Sequence, residues 1–246
     1  MQDLDLKSKP IKCFALDVDG TIADNEGHLD LEAASIIKSL AQLGYQIIFV
    51  SGRSAWELII LASYLGTSNL SVGENGGILA TSPLDIQVIG DKSKTVTAYD
   101  YLSKKIKGVE IKPTMPRFTE VVLKRSFDIE KGRKLLSKNN MSVNLIDSTF
   151  AYHITDKTVN KGEGLKLALE KLKIDPSETI AIGDSDTDIP MFKICKYSIA
   201  SGKPTNGAKE NATYIVKSNP GEGLVDAFQL SFQKILNPNL EEVLKK

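Results

Sequence analysis

Short, uninterrupted apolar runs alternate along the chain with longer segments in which apolar residues recur at helical spacing. The runs at 11–16, 46–50 and 179–182 have the length and the β-branched and aromatic content of strands that are buried on both faces. A helix is predicted between the first two runs, from an N-cap at Asp30 to a stop at Gly44. Strand, helix and strand in this order form a βαβ unit, which predicts a parallel sheet.

This alternation is interrupted in the middle of the chain. Between 82 and 155, charged, weakly amphipathic segments and short strands replace it, which indicates helices beside an antiparallel sheet. The alternation resumes with a helix that begins at Lys161 and continues to a last predicted helix over 221–235. We therefore predict an α/β protein: a Rossmann-like doubly wound parallel sheet formed by 1–81 and 156–246, with an inserted α+β cap domain over 82–155.

Composition and charge narrow the classes of partner. The 31 basic and 31 acidic residues give a formal net charge of zero, which argues against nucleic acid or an anionic membrane as the main partner. No apolar run has the length of a membrane span, and residues 1–10 lack the apolar segment of a secretory signal. Cys13 and Cys195 are far apart in apolar surroundings, which favours buried free thiols. We expect a cytoplasmic protein that is a monomer or a homodimer.

Two carboxylates follow the first predicted strand, in the stretch Asp17-Val18-Asp19-Gly20-Thr21. Ligands bind at this edge of an open α/β sheet, and two acids so close together repel each other unless a cation, usually a divalent metal ion, lies beside them. One aspartate can then act as a nucleophile and the other as a general acid and base, while Thr21 offers a hydroxyl and an amide to an anion. The alternative is an ordinary Asp/Gly turn without chemistry.

The next strand leads to a second group of candidate residues, Ser51-Gly52-Arg53. A capping-box spacing from Ser54 predicts that a helix begins directly afterwards, so a hydroxyl, a glycine amide and a helix N-terminus together suit a phosphate group. The alternative is that Ser51 simply begins a loop. Lys161 opens another predicted helix, where its charge is unfavourable unless an anion is present. We interpret this lysine as a phosphate or carboxylate partner rather than as a surface charge.

The strand at 179–182 is followed by three acids within five residues: Asp184, Asp186 and Asp188. Such a density of like charge is costly without a cation. Asp184 and Asp188 flank the first turn of a predicted helix, and we predict that both reach one metal ion, directly or through water. N-capping by one of the acids is the structural alternative, but it does not account for the others. Together the groups at this sheet edge predict a phosphoryl-transfer site.

In their order and spacing, these stretches resemble the four motifs of the haloacid dehalogenase superfamily of phosphatases. The four are Asp17-Val18-Asp19-Gly20-Thr21, Ser51-Gly52-Arg53, Lys161 with its following glycine, and Gly183-Asp184-Ser185-Asp186-Thr187-Asp188. An insert between the second and third motifs resembles the subgroup with a large α/β cap, which includes sucrose-phosphatase-like and Cof-type enzymes. Within that subgroup, the short chain and compact cap look most like the archaeal phosphoglycolate phosphatases.

The resemblance implies a role for each motif. Asp17 would be the nucleophile that becomes an aspartyl-phosphate, and Asp19 would be the general acid and base and would offer its backbone carbonyl to the metal. Ser51 and Lys161 would hold the phosphoryl group. With the residue chemistry described above, the predicted substrate-binding residues are Thr21, Ser51, Gly52 and Lys161. The predicted Mg²⁺ ligands are Asp17, Asp19, Asp184 and Asp188.

We therefore expect a Mg²⁺-dependent phosphatase of a small phosphorylated metabolite, with 2-phosphoglycolate as the leading candidate. In the insert, Arg117, Lys124 and Arg125 are either ligands for a substrate carboxylate or solvated surface charges. Other enzyme possibilities are a sugar-phosphate phosphatase and a phosphotransferase. The non-enzyme possibilities are a phospho-Asp receiver, which lacks an insert and a second aspartate two residues on, and a binding protein without catalysis.

Overall fold

The computed structural model describes residues 9–24, 26–148, 150–216 and 222–236, and the protein forms two compact units. The first unit comprises the described residues of Met1–Ile48, Leu65–Ser68 and Leu169–Lys246, and the second comprises those of Phe49–Tyr64 and Asn69–Ala168. The boundaries of the functional cap at 82 and 155 remain a prediction from the sequence.

The described strands and helices are numbered here in chain order. The strands are β1 (Cys13–Leu16), β2 (Gln46–Phe49), β3 (Ser71–Gly73), β4 (Ile78–Ser82), β5 (Asp85–Val88), β6 (Val121–Leu123), β7 (Val143–Asp147), β8 (Tyr152–Asp156), β9 (Thr179–Gly183), β10 (Tyr197–Ala200) and β11 (Tyr214–Ile215). The helices are α1 (Leu31–Gln42), α2 (Ala55–Leu65), α3 (Lys92–Lys105), α4 (Ile129–Lys138), α5 (Lys161–Leu172), α6 (Ile189–Ile194), α7 (Asn206–Asn211) and α8 (Glu222–Lys234). None of these helices combines the length and the apolar character that crossing a membrane requires.

The first unit is built on a five-stranded sheet in the order β11-β10-β9-β1-β2. β9 pairs in parallel with both β1 and β10, and β10 pairs in parallel with β11. β1 and β9 are buried along their whole length, as their apolar sequences predict. Helix α1 begins where Asp30 accepts a hydrogen bond from the Ala33 amide (2.7 Å), and Phe14 of β1 packs edge-on against Phe228 of α8. The predicted parallel sheet with flanking helices is confirmed.

The second unit contains two three-stranded antiparallel sheets, in the orders β3-β4-β5 and β6-β8-β7. Helices α3 and α4 cover the second of these sheets, and Leu102, Leu136 and Ile154 belong to the core between them. The charged, weakly amphipathic segments of this region therefore form helices, as the sequence indicated. The α+β character predicted for the middle of the chain is confirmed.

Candidate active site

The parallel pairing of β1 and β9 brings two acidic turns side by side. The amide of Asp17 continues the ladder by donating to the carbonyl of Ile182 (2.9 Å), and the Asp17 residue is only 4% exposed. Asp184 follows the end of β9 directly. One carboxylate oxygen from each of Asp17, Asp184 and Asp188 lies within 4.8 Å of the other two. The two turns thus form a compact cluster of three acids, and the predicted role of these acids as metal ligands stays a prediction.

The turn after β1 depends on glycine at position 20. Gly20 has a φ of +85°, and a Cβ atom built there would lie 2.3 Å from Oδ2 of Asp184. A side chain at this position would therefore be strained and would also displace a member of the acidic cluster. Thr21 is fully buried, and its hydroxyl oxygen has no hydrogen-bond partner among the described residues. An anion oxygen would satisfy this hydroxyl, which agrees with its predicted role.

Asp188 both caps its own turn and belongs to the acidic cluster. It is fully buried, and its Oδ2 accepts hydrogen bonds from the Asp184 amide (3.0 Å) and from the Ser185 amide (2.9 Å) and hydroxyl (3.1 Å). Asp186 is exposed and accepts instead from the Thr205 hydroxyl (2.6 Å). Of the three acids of this motif, Asp184 and Asp188 therefore belong to the cluster, whereas Asp186 bonds to the residue that precedes α7.

The donor set of this cluster suits a hard divalent cation. Carboxylate oxygens are the ligands that Mg²⁺ prefers, and a cation among these three carboxylates would offset their repulsion. The Asp19 carboxylate is not a member of the cluster among the described residues, and Asp19 is partly exposed. Its expected contribution to a metal is the backbone carbonyl, and this contribution stays a prediction.

The predicted Ser51 and Gly52 site belongs to the second unit. Ser51 is buried; its amide donates to the Val72 carbonyl (2.9 Å), and its hydroxyl accepts from the Arg53 amide (3.2 Å). Helix α2 begins directly after this loop with the predicted capping box: the Ser54 amide donates to Glu57 Oε2 (2.9 Å), and the Glu57 amide donates to the Ser54 hydroxyl (3.4 Å). The loop is an ordered turn that leads into a helix N-terminus.

Lys161 is the first residue of α5 and is only 3% exposed. The preceding Asn160 caps the helix through Oδ1, which accepts from the Gly162 amide (3.0 Å). A Cβ atom at Gly76 would lie 2.0 Å from the Asn160 carbonyl oxygen, so the helix start packs directly on that glycine. Burial rules out the surface-charge interpretation of Lys161, because a buried ammonium requires polar or anionic neighbours.

The three candidate cations of the insert differ in their exposure and in their partners. Lys124 and Arg125 are solvated and form ion pairs with Glu110 (2.7 Å) and Asp147 (2.9 Å). The Arg117 side chain is only 10% exposed, and its Nη1 donates to the carbonyl of Gly52. Arg117 is thus the candidate cation that contacts a predicted substrate-binding residue.

One residue of this region, Glu74, was not among the candidates from the sequence. It is fully buried, and its carboxylate accepts hydrogen bonds from the amides of Phe118 (2.8 Å) and Thr119 (2.7 Å). Burial and the nearby charge of Glu120 raise the pKa of Glu74. Its only sequence signal is its place among glycines, which indicates a turn and would ordinarily place a glutamate in solvent.

The comparisons with known proteins agree with this geometry. A family model described as haloacid dehalogenase-like hydrolase matches residues 14–112 and 103–228. A phosphoglycolate phosphatase of Nitrosopumilus maritimus is 41% identical over 88% of this chain and 94% of its own length, and one of Archaeoglobus fulgidus is 38% identical over 89% and 96%. A crystal structure of a Thermoplasma acidophilum protein superposes with a TM-score of 0.80 at 22% identity, covering 90% of this chain and 98% of that one.

Proposed function

This chain belongs to the haloacid dehalogenase-like hydrolases, and from that premise we propose that it hydrolyses a small phosphomonoester through an aspartyl-phosphate on Asp17. The first candidate substrate is 2-phosphoglycolate, because relatives that match most of the chain carry the name phosphoglycolate phosphatase. The observation that carries the proposal is the cluster of Asp17, Asp184 and Asp188 at the ends of two paired parallel strands.

In the proposed reaction, an Asp17 carboxylate oxygen forms a bond to phosphorus while the bond from phosphorus to the leaving alkoxide oxygen breaks. Asp19 donates its proton to that alkoxide. It then takes a proton from the water that attacks the phosphorus of the aspartyl-phosphate, which releases inorganic phosphate and restores Asp17. The two aspartates divide the work in keeping with their surroundings, since Asp17 is buried and Asp19 is partly exposed.

The phosphoryl oxygens are assigned to the hydroxyls of Thr21 and Ser51, the Gly52 amide and the Lys161 ammonium. The buried, unsatisfied hydroxyl of Thr21 and the burial of Lys161 support this assignment. Asp17, Asp184, Asp188 and the Asp19 carbonyl would hold Mg²⁺. A bound Mg²⁺ supplies positive charge that neutralises the acids and the phosphoryl oxygens.

The proposal is tested by phosphate release from a panel that contains 2-phosphoglycolate, sugar phosphates and p-nitrophenyl phosphate. Activity should require Mg²⁺, disappear in EDTA and disappear in Asp17→Asn, and it should persist in the matched variant Asp186→Asn, whose carboxylate lies outside the cluster. Rapid acid quenching of the wild type should trap phosphate on Asp17 in a hydroxylamine-sensitive form. Release of no phosphate from any substrate, with a stable phospho-Asp17, would instead indicate a receiver.

A further inference from the structure

All three carbonyl groups of residues 51–53, the loop that the proposed function assigns to phosphate and that is called the phosphate-binding loop below, accept hydrogen bonds. The Asn75 amide donates to the Ser51 carbonyl (3.1 Å), and the Glu74 amide donates to the Arg53 carbonyl (2.9 Å). The carbonyl between them, that of Gly52, accepts from Nη1 of Arg117. Two of these donors are backbone amides that directly follow β3. The third is a side chain that lies 65 residues beyond Gly52 in the sequence.

The guanidinium of Arg117 is fixed by more than its contact with the loop. Its Nη1 also donates to Oε1 of Glu120 (2.7 Å), and its Nη2 lies 3.7 Å from Oε2 of Glu57 on helix α2. Because Glu57 caps the helix that follows the loop, Arg117 contacts the loop and the start of that helix together. The planar fork of an arginine makes such simultaneous contacts at fixed spacing, which a lysine cannot do.

The carboxylate that anchors Arg117 is itself held on every side. Glu120 is fully buried, and its Oε2 accepts from Nδ2 of Asn75 (3.1 Å) and lies 3.0 Å from Nδ1 of His153. Burial alone would raise the pKa of Glu120, but its interactions with His153, Arg117 and Asn75 outweigh burial and lower it. The backbone amide of Asn75 donates to the Ser51 carbonyl, and its side chain donates to Glu120. Arg117, Glu120 and Asn75 thus form a continuous hydrogen-bond network that begins and ends at the loop.

We propose that Arg117 is a positioning residue for the phosphate-binding loop: by holding the Gly52 carbonyl it fixes the Gly52–Arg53 peptide, whose amide donates to the Ser51 hydroxyl (3.2 Å), so that the loop presents this hydroxyl to the phosphoryl group. The inference rests on the proposed function, because that function assigns the loop to phosphate. Carbonyl oxygens repel an anion and amides attract it, so a group that fixes the peptide orientation changes phosphate affinity without touching the ligand.

Direct binding of a substrate carboxylate by Arg117 is the competing role. The contacts disfavour it, because both terminal nitrogens of the fork already meet protein oxygens, those of the Gly52 carbonyl and of two carboxylates, and only Nε lacks a hydrogen-bond partner among the described residues. The two roles make different predictions: a carboxylate contact matters only for substrates that carry a carboxylate, whereas a positioned loop matters for every phosphate ligand.

The test compares Arg117→Met and Arg117→Lys with the matched control Arg125→Met, which removes a solvated arginine paired with Asp147. The measurements are the Kd of inorganic phosphate by calorimetry with Mg²⁺ present, and kcat/KM for 2-phosphoglycolate and for p-nitrophenyl phosphate. Loss of a charged hydrogen bond that orients the loop should raise the phosphate Kd in Arg117→Met by about 10-fold or more. Both substrates should lose kcat/KM by a similar factor, and Arg125→Met should stay within about 2-fold of the wild type.

Two results would overturn the inference. A loss confined to 2-phosphoglycolate, with an unchanged Kd for inorganic phosphate, would make Arg117 a carboxylate ligand. An unchanged phosphate Kd together with a lower unfolding temperature would make it merely structural. Arg117→Lys keeps the buried charge and serves if the methionine variant does not fold. Calorimetry needs no turnover, so an absence of hydrolysis by the wild type would count against the proposed function and not against the loop.

Discussion

Replacing Asp184 by asparagine should stabilise the protein when no divalent metal is present. Its carboxylate lies within 4.8 Å of those of Asp17 and Asp188. Two unit charges at that distance repel by about 3 kcal/mol at an effective dielectric constant near 20. Asp184 is only partly buried and has other interactions, so solvent screening and the loss of those interactions reduce the expected relief to about 1 kcal/mol. For a chain of this size, that gain corresponds to an unfolding temperature about 2–4 °C higher in EDTA.

Addition of Mg²⁺ should reverse the order of the two proteins. A ligand that binds only the folded state stabilises it by about 2.7 kcal/mol at a hundredfold excess over its Kd. The wild type should therefore gain roughly 5–10 °C in thermal unfolding followed by circular dichroism. Asp184→Asn lacks one of the proposed anionic ligands, so its titration should be displaced to much higher Mg²⁺ concentrations. The crossing of the two stabilities, rather than either value alone, is the expected signature.

Asp186→Asn is the matched control because it removes a charge from the same turn without removing a cluster member. It should retain the full gain from Mg²⁺. The reasoning would be refuted if Asp184→Asn were less stable than the wild type in EDTA, or if Mg²⁺ stabilised both proteins equally. The first result would mean that the acids of the cluster are not held together at the expense of stability, and the second would mean that Asp184 does not contribute to Mg²⁺ binding.

Two further predictions concern backbone conformation and pH. Gly20→Ala should abolish activity, because its Cβ would lie 2.3 Å from Asp184 Oδ2, whereas Gly44→Ala, with a φ of +92° and no atom within 4 Å, should lose only about 1 kcal/mol of stability and keep its kcat/KM. Burial would raise the pKa of Asp156, but the Lys94 ammonium and neighbouring donors lower it to about 2 from 3.8. The ionised form of Asp156 thus contributes stability above pH 3.8, and this contribution is lost as the pH falls through about 2. In urea unfolding, the free energy of unfolding of the wild type should exceed that of Asp156→Asn by about 2 kcal/mol near pH 6, and this difference should decrease as the pH falls over that range.

The acidic cluster could be predicted from the sequence because each of its parts has a local signal. β1 and β9 are short apolar runs, and Asp17 and Asp184 follow them directly, so the edge rule for parallel sheets places both carboxylates together without knowledge of any side-chain contact. Asp188 follows from the same turn. The strand order β11-β10-β9-β1-β2 has no such signal, because pairing between strands so far apart in sequence depends on packing of the whole unit.

The surroundings of loop 51–53, the proposed phosphate-binding loop, could not be predicted in the same way. No sequence feature distinguishes Arg117 from Lys124 and Arg125, but of the three only Arg117 has a buried side chain. The difference lies in buried partners that are distant in sequence: Gly52 is 65 residues away, and the Glu120 that anchors Arg117 is itself held by His153. A charged residue gives no periodic signal of such a partner, so contacts of this kind emerge only from the structure.

The turn Gly73-Glu74-Asn75-Gly76-Gly77 shows why a local rule fails where several demands meet. Its Asn-Gly pair predicts a tight turn, and β3 and β4 do pair in antiparallel fashion around it, but Glu74 and Asn75 both adopt positive φ values, +51° and +56°. Such conformations cost of order 1 kcal/mol each in residues other than glycine. They persist because each residue makes two kinds of hydrogen bond: its backbone amide donates to a carbonyl of loop 51–53, and its side chain bonds to the 118–120 segment. Glycine would relieve the strain but would supply only the amide, so the need for these side chains accounts for the strained backbone.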